Sequence, residues 1–319
     1  MKKILFLFFL YVLIFSAFEN SYCLNKDYII IIKSDDVKTY SELIEGFKDG
    51  FDDEFNYDIE IINIKRDWKI AEEVIDNIKK RDIKPPLILM LGLKAAYSVQ
   101  QKITDIPLIF CAVLDWEHSL QKKNNTTGIS MEIPALGLLE QYKFIKRNLK
   151  NIGIVYSKEN YKEMVDKKEM EFKNINANII RIELSGASGK KIYSLRKLKK
   201  AFNRMKNKID CLLMVPDFKI INTSNFNYMV NKCKTNKIPF FAFEEGFVKA
   251  GALASLSPSF YNIGSQANFL AKKILLMKIP PAKIKVLTPI GTEFILNSKT
   301  ADKLGLNIKL LKQFADKVY

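Results

Sequence analysis

Acidic residues recur where apolar segments of the sequence end, and such side chains suit a positively charged group. Asp35, Asp115, Asp217 and Glu244 each stand at or just beyond the end of such a segment. Parallel sheets place ligand sites beyond the carboxyl ends of their strands, so these acids are expected at such sites. Each acid alone is better explained as a helix cap, which the helix dipole favours, so the argument depends on their shared location.

Residues 92–96 follow an apolar segment and open a predicted helix. Free amides at a helix N-terminus suit a carboxylate or phosphate, although a plain tight turn explains the segment alone. Together with the acids, these amides predict a site for a zwitterion. Its carboxylate would lie on one of two lobes of the protein and its amine on the other. Aromatic residues near the same loops offer an apolar wall or simply pack in the core or at its rim: Tyr40, Trp116, Tyr156, Phe218 and Phe243.

Motifs for catalysis and cofactor binding do not assemble in this sequence. There is no G-x-G-x-x-G and no G-x-S-x-G, which argues against a dinucleotide site and a hydrolase elbow. Residues 185–191 look like a phosphate-binding loop, but Leu184 and Lys191 occupy the positions that need glycine and a hydroxyl. His118, the single histidine, has no Cys or His cluster around it. We therefore expect no metal, no cofactor and no enzymatic activity.

Continuously apolar segments alternate with amphipathic helices, as in an α/β protein whose parallel strands are covered on both faces. The predicted strands form two blocks of four: 28–32, 59–64, 87–91 and 108–113, then 152–156, 178–184, 211–215 and 240–243. The length of 319 residues also fits two lobes rather than one core.

The order of elements becomes irregular after residue 243. A helix at 244–249, a strand at 251–256, a helix at 263–277, a strand at 294–297 and a helix at 300–304 are predicted there. This order fits a chain that returns to the first lobe and then to the second. Segment 126–134, punctuated by Gly128 and Pro134, is predicted to cross between lobes. The expected boundaries are 24–128 with 254–286 for lobe 1, and 129–253 with 287–319 for lobe 2.

The N-terminus has the pattern of an export signal. Lys2 and Lys3 precede an apolar stretch at 4–18, which is short for a membrane span, so residues 1–23 are predicted to be a signal peptide. Cys23 raises lipid attachment as an alternative, although Tyr22 fits that processing poorly. The predicted location is the periplasm or the outer face of the cytoplasmic membrane. The remaining cysteines, Cys111, Cys211 and Cys233, are expected to be buried thiols.

The net charge of +16 comes from 51 basic and 35 acidic residues, and only six of the basic residues are arginine. The lysines are spread through every segment, whereas nucleic-acid binders concentrate Lys and Arg on one face. Nucleic acid is therefore not an expected partner. A dispersed basic surface favours peripheral contact with an anionic membrane surface or an acidic partner.

Several short segments, taken in order, resemble one family: residues 45–50, 105–110, 127–130, 237–242, 251–254, 261–267 and 303–305. The chain resembles the ABC-transporter substrate-binding proteins of the tryptophan-binding-protein-like group, which have the type I periplasmic-binding-protein architecture. The resemblance implies an α/β fold with two Rossmann-like lobes, parallel sheets and a three-crossing hinge. It also implies a monomer that captures a small ligand by hinge closure and delivers it to an ABC permease and its ATPase.

The resemblance assigns ligand contacts by position to Ser34, Asp35, Gly92, Leu93, Lys94, Ala95, Val113, Asp115, Met131, Glu132, Asp217, Phe218 and Glu244. Asp115 and Asp217 match acids usual in the family. Other positions depart from the pattern: Leu93 and Lys94 replace Thr-Pro, residues 243–244 replace Ser-Asp, and residues 131–132 stand where an Asp is usual. The family's ligand is therefore not carried over. An amino acid or similar zwitterion is the expected ligand class.

Two alternatives from other classes remain open. The first is a periplasmic ligand-sensing protein whose closed form reports to a membrane receptor. The second is a periplasmic enzyme on the same scaffold, which is the weaker because no catalytic constellation accompanies it.

Overall fold

The fold is taken from a computed structural model, which describes residues 28–52, 55, 57–184 and 194–319. The predicted signal peptide, with Cys23, and the predicted loop at 185–191 lie outside the described residues. Within the described ranges, strands and helices form two lobes, each built on its own sheet.

The first sheet has five parallel strands in the order β2-β1-β3-β4-β5. Its strands are β1 (Tyr28–Lys33), β2 (Asp58–Asn63), β3 (Ile88–Leu91), β4 (Leu108–Val113) and β5 (Thr126–Ser130). Its connecting helices are α1 (Lys38–Lys48), α2 (Trp68–Lys79), α3 (Leu93–Lys102) and the short α4 (Trp116–Ser119). Side chains alternate along β1 between two apolar clusters, one on each face of the sheet, as the continuous apolar strands predicted.

The second sheet has seven strands in the order β12-β11-β10-β9-β8-β6-β7, all parallel to their neighbours except that β11 runs antiparallel to β10. Its strands are β6 (Asn151–Ser157), β7 (Asn178–Leu184), β8 (Cys211–Leu213), β9 (Phe240–Ala242), β10 (Ala254–Pro258), β11 (Thr292–Leu296) and β12 (Lys317–Val318). Its helices are α5 (Ala135–Lys143), α6 (Lys158–Lys173), α7 (Leu195–Met205), α8 (Thr223–Thr235), α9 (Glu245–Lys249), α11 (Ser298–Leu304) and α12 (Ile308–Phe314).

Helix α10 (Phe260–Leu275) returns to the first lobe and packs directly on α1. Gly46 and Gly264 make this contact possible. A Cβ on Gly46 would lie 2.0 Å from the Tyr261 carbonyl oxygen, and a Cβ on Gly264 would lie 2.0 Å from the Leu43 carbonyl oxygen. The two helix backbones therefore touch, which no residue larger than glycine would permit.

Three segments cross between the lobes, after Ser130, after Pro258 and before Thr292. They lie side by side: the Ser130 amide donates to the Leu287 carbonyl at 2.9 Å, and the Ser259 amide donates to the Gly291 carbonyl at 3.2 Å. The predicted architecture of two parallel-dominated sheets joined by three crossings is confirmed.

Two sequence-based boundaries need correction. Residues 126–130, predicted to be part of a crossing, form the edge strand β5, because their backbone pairs with β4. Strand β10, which the prediction placed in lobe 1 from Ala254 onward, hydrogen-bonds to β9 and β11 in the second sheet. The crossing back to the first lobe therefore follows Pro258.

Three further findings concern the cysteines, the possible metal ligands and the helices of the described residues. Cys111, Cys211 and Cys233 are buried free thiols, as predicted, and burial raises the pKa of each. Among the described residues, no group of three or more His, Cys, Asp or Glu side chains is placed to hold a metal ion. No helix in the described ranges combines the length and apolarity needed to cross a membrane.

Candidate functional site

Residues at the carboxyl ends of strands in both sheets line a cleft between the lobes. An open cavity of about 1810 Å³ occupies this cleft. Arg66, Ala112 and Leu114 line it from the first lobe, and Phe243 and Glu244 line it from the second. Residues at the strand ends, where the sequence predicts the site, therefore line this cavity.

The first-lobe wall, which we define as Ser34, Tyr40, Gly92 and Ala95, is held together by its own polar groups. The Ala95 amide donates to Ser34 Oγ at 2.9 Å, and Ser34 is almost fully buried. Gly92 adopts φ of 85°, and a Cβ there would lie 2.0 Å from Tyr40 Oη. Burial raises the pKa of Tyr40, and its hydrogen bond to Ser34 opposes that shift. The helix amide that was expected to be free for a ligand at Ala95 is therefore already bonded.

Asp35 and Lys94 interact with one turn, at Arg66. Asp35 Oδ2 lies 2.8 Å from Arg66 Nε, and the Lys94 ammonium donates to the Arg66 carbonyl. The same ammonium lies 4.6 Å from the centre of the Trp68 ring, a cation–π contact. Leu93 is exposed, and neither it nor Lys94 lines the cleft cavity. These residues brace the rim of the first lobe.

The backbone after β4 is irregular and turns Asp115 into the cleft region. Ala112 and Asp115 have φ of 56° and 49°, and the pairing of β4 with β5 shifts register before Val113. Val113 itself is fully buried, so it belongs to the core. Asp115 Oδ1 lies 2.7 Å from His118 Nδ1.

His118 joins the lobes. Its Nε2 lies 2.8 Å from Glu163 Oε2 on α6, while its Nδ1 contacts Asp115 in the first lobe. Beside it, Lys167 Nζ lies 3.0 Å from Glu117 of the first lobe. We call Asp115, Glu117, His118, Glu163 and Lys167 the interlobe bridge. The hydrogen bonds to Asp115 and Glu163 raise the pKa of His118, and its slight burial opposes them.

Asp217 lies at the end of the second sheet and is almost fully buried. Its Oδ2 accepts from the Ser157 amide at 2.6 Å and its Oδ1 accepts from the Lys219 amide at 3.1 Å. The hydroxyl of Tyr161 donates to the Pro216 carbonyl beside it. Burial first, and then the charges of Asp217 and Asp115, raise the pKa of Tyr161 to about 12. Acidic residues from both lobes therefore affect the pKa of the same group, the Tyr161 phenol.

Phe218 and Glu244 lie on the second-lobe side of the cleft. Phe218 is 60% exposed, and its ring makes an edge contact with Phe243, with the ring centres 6.3 Å apart. Glu244 precedes α9 and lines the cavity without forming a side-chain cap. Phe218 therefore offers an exposed apolar surface and Glu244 a charge at the cleft.

A second, narrower cavity of about 800 Å³ opens into the second lobe. We define this second-lobe pocket by its apolar lining: Met131, Ile133, Leu138, Met164, Val215 and Leu256. Asp115, Glu132 and Lys168 are polar residues of its lining, and Tyr142 lines it as well. Lys168 donates to the Ile133 carbonyl at 2.8 Å and pairs with Glu171 at 3.0 Å.

The structure brings together some of the predicted contact residues and separates others. Asp115, Met131 and Glu132 line the second-lobe pocket, and Glu244 lines the wider cavity. Ser34, Gly92 and Ala95 form the wall behind Tyr40, while Asp35, Leu93 and Lys94 form the rim. Asp217 is bonded to backbone amides near the pocket, Phe218 lies at the cleft, and Val113 is in the core.

Sequence reasoning missed several residues that line the two cavities. Arg66 contributes through two successive left-handed residues after β2, which the sequence does not reveal. Tyr142, Met164 and Lys168 are on helices, whereas the sequence argument considered only the loops after strands. The spacing of the apolar residues along α5 could have placed Tyr142 on its buried face, but could not have shown that this residue lines a cavity.

The chain matches the family described as ABC transporter substrate binding protein over residues 29–318. A protein of Clostridioides difficile (strain R20291) named tyrosine-binding protein is 29% identical over 282 residues, which are 84% of this chain and 77% of that protein.

Two solved structures have a similar fold. The ligand-free, open structure of CD0873, a substrate binding protein with adhesive properties from Clostridium difficile, has a TM-score of 0.68 and 23% identity. That comparison covers 88% of this chain and 95% of the other. A Streptococcus pneumoniae ABC domain in complex with L-Trp has a TM-score of 0.59 and 21% identity, covering 92% of this chain and 100% of the other. Since the family match spans almost all of the described residues, this chain belongs to the ABC transporter substrate-binding protein family and has the type I periplasmic-binding-protein fold.

Proposed function

We propose that this protein captures an α-amino acid with an aromatic side chain between its lobes and delivers it to an ABC permease with its ATPase. Because it lacks a catalytic constellation among the described residues, we propose capture without turnover. The thirteen contact residues named from the resemblance divide among the rim, the wall, the two cavities and the core in this proposal, rather than all touching the ligand.

The observation that carries the proposal is the approach of acids from both lobes at the mouth of an apolar pocket. Asp115 of the first lobe lines this pocket, and its charge and that of Asp217 of the second lobe both raise the pKa of Tyr161. An ammonium group placed between them would be attracted by both charges once the lobes close. A carboxylate accepts several hydrogen bonds, so the bonds already present leave acceptor capacity.

The second-lobe pocket supplies the complementary apolar surface. Its apolar lining suits a hydrocarbon or aromatic group, and burial of such a group provides most of the binding free energy. The relative named for tyrosine and the structure with bound L-Trp support an aromatic amino acid as the ligand class.

Hinge closure is the proposed mechanism. The interlobe bridge forms only when α4 of the first lobe approaches α6 of the second, because Glu163 and Lys167 reach across the cleft. A ligand that contacts both lobes shifts the equilibrium towards this closed arrangement, which a transporter or a receptor then recognises.

Export and lobe organisation complete the proposal. Residues 1–23 act as a signal peptide and place the protein in the periplasm or on the outer face of the cytoplasmic membrane. The dispersed basic surface favours peripheral contact with anionic lipid there. Lobe 1 comprises the chain to about residue 130 and then α10 with the segment that follows, and lobe 2 comprises the remainder.

A thermal-shift screen of the purified protein against amino acids, sugars and nucleobases tests the ligand class. Ligand at about 100 times its dissociation constant adds about 2.7 kcal/mol of stability, which raises Tm by several degrees. A shift with aromatic amino acids is expected. A shift only with sugars or nucleobases would contradict the proposal. Affinity capture with the ligand-bound protein then separates the roles: recovery of a permease supports transport, and recovery of a membrane receptor supports sensing instead.

A further inference from the structure

Tyr142 on α5 is buried, yet its hydroxyl forms no hydrogen bond with any of the described residues. Only 4% of the residue is exposed. Burial raises its pKa, and the Leu256 backbone near the hydroxyl opposes that shift. Leaving a buried hydroxyl unsatisfied is unfavourable, because the group has lost its hydrogen bonds to water without replacing them. The position therefore carries a polar group that the protein itself does not use.

Two other tyrosines in the same lobe differ from Tyr142. Tyr156 is fully buried, and its hydroxyl donates to Glu183 at 3.2 Å. Tyr161 is half-buried, and its hydroxyl donates to the Pro216 carbonyl. Tyr142 is thus the exception among these three tyrosines. Its ring is nevertheless well packed, stacked on the Phe241 ring with the ring centres 3.6 Å apart and the two planes 3° apart. A phenylalanine would make the same ring contact without the unpaired hydroxyl.

The surroundings of Tyr142 point to a missing partner in the cavity. Tyr142 lines the second-lobe pocket together with Leu138, Met164, Val215 and Leu256, whose side chains offer no hydrogen-bonding partner of ordinary strength. A molecule that fills this pocket places its far end among these side chains. Among the described residues, five buried side-chain polar atoms lack a hydrogen-bond partner, and of these only the Tyr142 hydroxyl belongs to a residue that lines this pocket.

We propose that Tyr142 is a specificity-determining residue that hydrogen-bonds the polar atom at the far end of the ligand's aromatic side chain. Because a phenol both donates and accepts, it pairs with a ring hydroxyl or a ring N–H. The pocket then favours an amino acid with a phenol or indole over one with a plain phenyl ring. This inference rests on the proposed function and names the side-chain class that the same site selects.

The test compares L-tyrosine, L-phenylalanine and L-tryptophan by calorimetric titration of the wild-type protein and of Tyr142→Phe. The wild-type protein should bind tyrosine about 10-fold to 100-fold more tightly than phenylalanine, as one well-formed buried hydrogen bond provides. In Tyr142→Phe this ratio should fall to about 1, through weaker binding of tyrosine. Tyr228→Phe is the matched control, because Tyr228 packs on the opposite face of the second sheet and should leave the ratio unchanged.

Thermal unfolding of the same variants excludes a purely structural role. Tyr142→Phe should melt at the wild-type temperature or above, since it removes only an unpaired hydroxyl. If Tyr142→Phe melts clearly lower and keeps the wild-type ratio, the hydroxyl is structural and the inference is wrong. If the wild-type protein binds both amino acids and the ratio ignores the substitution, the inference fails while the proposed function stands. Binding of no amino acid at all would overturn both.

Discussion

The first-lobe wall and the second-lobe pocket differ in how their polar groups are used. In the wall, Ser34 Oγ accepts from the Ala95 amide, and the Tyr40 hydroxyl lies against Ser34 and Gly92. In the pocket, the lining is mainly apolar and the hydroxyl of Tyr142 has no partner among the described residues. The wall is complete without a ligand, whereas the pocket is not. Under the proposed function, the first lobe supplies a fixed surface and the second lobe discriminates between ligands.

The substitution Gly92→Ala is the strongest test of whether the first-lobe wall is complete without a ligand. The left-handed backbone and the 2.0 Å approach of a Cβ to Tyr40 Oη both oppose any side chain there. Strain and overpacking of this kind each cost roughly 1–3 kcal/mol, so we expect the free energy of unfolding to fall by about 3 kcal/mol. Urea denaturation measures it. Gly246→Ala is the control, because nothing lies within 4 Å of a Cβ at that helical position. Equal stability of both variants would show that the wall is loosely built.

Filling the pocket should have the opposite consequence, a loss of binding with little loss of stability. Met131 is half-buried at the mouth of the pocket and borders both cavities, so Met131→Trp would occupy ligand volume. We expect affinity for an aromatic amino acid to fall about 100-fold, which corresponds to about 2.7 kcal/mol. Calorimetric titration measures the affinity, and thermal unfolding provides the control. Undiminished affinity would place the ligand outside the second-lobe pocket.

Asp217 is a polar group of the second lobe that does have hydrogen-bond partners. The contrast between the first-lobe wall and the second-lobe pocket therefore does not extend to every polar group of the second lobe. Asp217→Asn removes the negative charge and weakens the bonds from the Ser157 and Lys219 amides. Hydrogen bonds to charged groups contribute about 1.5–3 kcal/mol each, so we expect a stability loss of about 2 kcal/mol. Binding should weaken in addition if the carboxylate also attracts the ligand's amine. Comparison of unfolding and titration data separates the two effects, and unchanged stability would contradict the structural role.

The interlobe bridge should give the smallest effect, visible as a pH dependence of closure. Asp115 and Glu163 face the two ring nitrogens of His118, and Glu117 and Lys167 lie beside them on the neighbouring helices. Since the closed state raises the pKa of His118, its contribution is present below the ordinary histidine pKa and is lost as pH rises through the raised value.

The bridge is solvent-exposed, so its contribution should stay below about 1 kcal/mol, or about fivefold in affinity between pH 6 and pH 8.5. Titrations with ligand at both pH values measure it. In His118→Gln this difference should vanish. A pH dependence that persists in His118→Gln would assign it to another group.

The course of the chain was predictable from the sequence because buried parallel strands are continuously apolar. The strands at 28–33 and 108–113, among others, appear where such runs were found. The edge strand β5 was taken for a crossing because Thr126, Thr127 and Gly128 give it no apolar run. Position 128 requires glycine because a Cβ there would lie 2.4 Å from the Phe110 carbonyl oxygen. Because this close backbone approach requires a glycine rather than an apolar side chain, β5 lacks the hydrophobic pattern by which the other strands were predicted.

The candidate site was predictable only as a set of loops. The expectation that the acids at strand ends lie near one another rests on strand polarity alone, and it stays a prediction. The partners of Asp35 and Lys94 were not predicted, because both meet at Arg66, whose left-handed backbone is set by tertiary contacts rather than by residue type. An unsatisfied hydroxyl such as that of Tyr142 is a three-dimensional property, and a sequence pattern cannot express it.

The glycine contact between α1 and α10 also constrains the order in which the molecule forms. Helix α10 begins more than 200 residues after α1, so the first lobe lacks this covering helix until almost the whole chain has been synthesised. A contact of such long sequence separation closes slowly, because a large loop must be ordered before the contact stabilises it. The second lobe's β6 to β9 segment is continuous and needs no such return. The second lobe should therefore begin to fold as a local unit, and docking of α10 against Gly46 should be a late step.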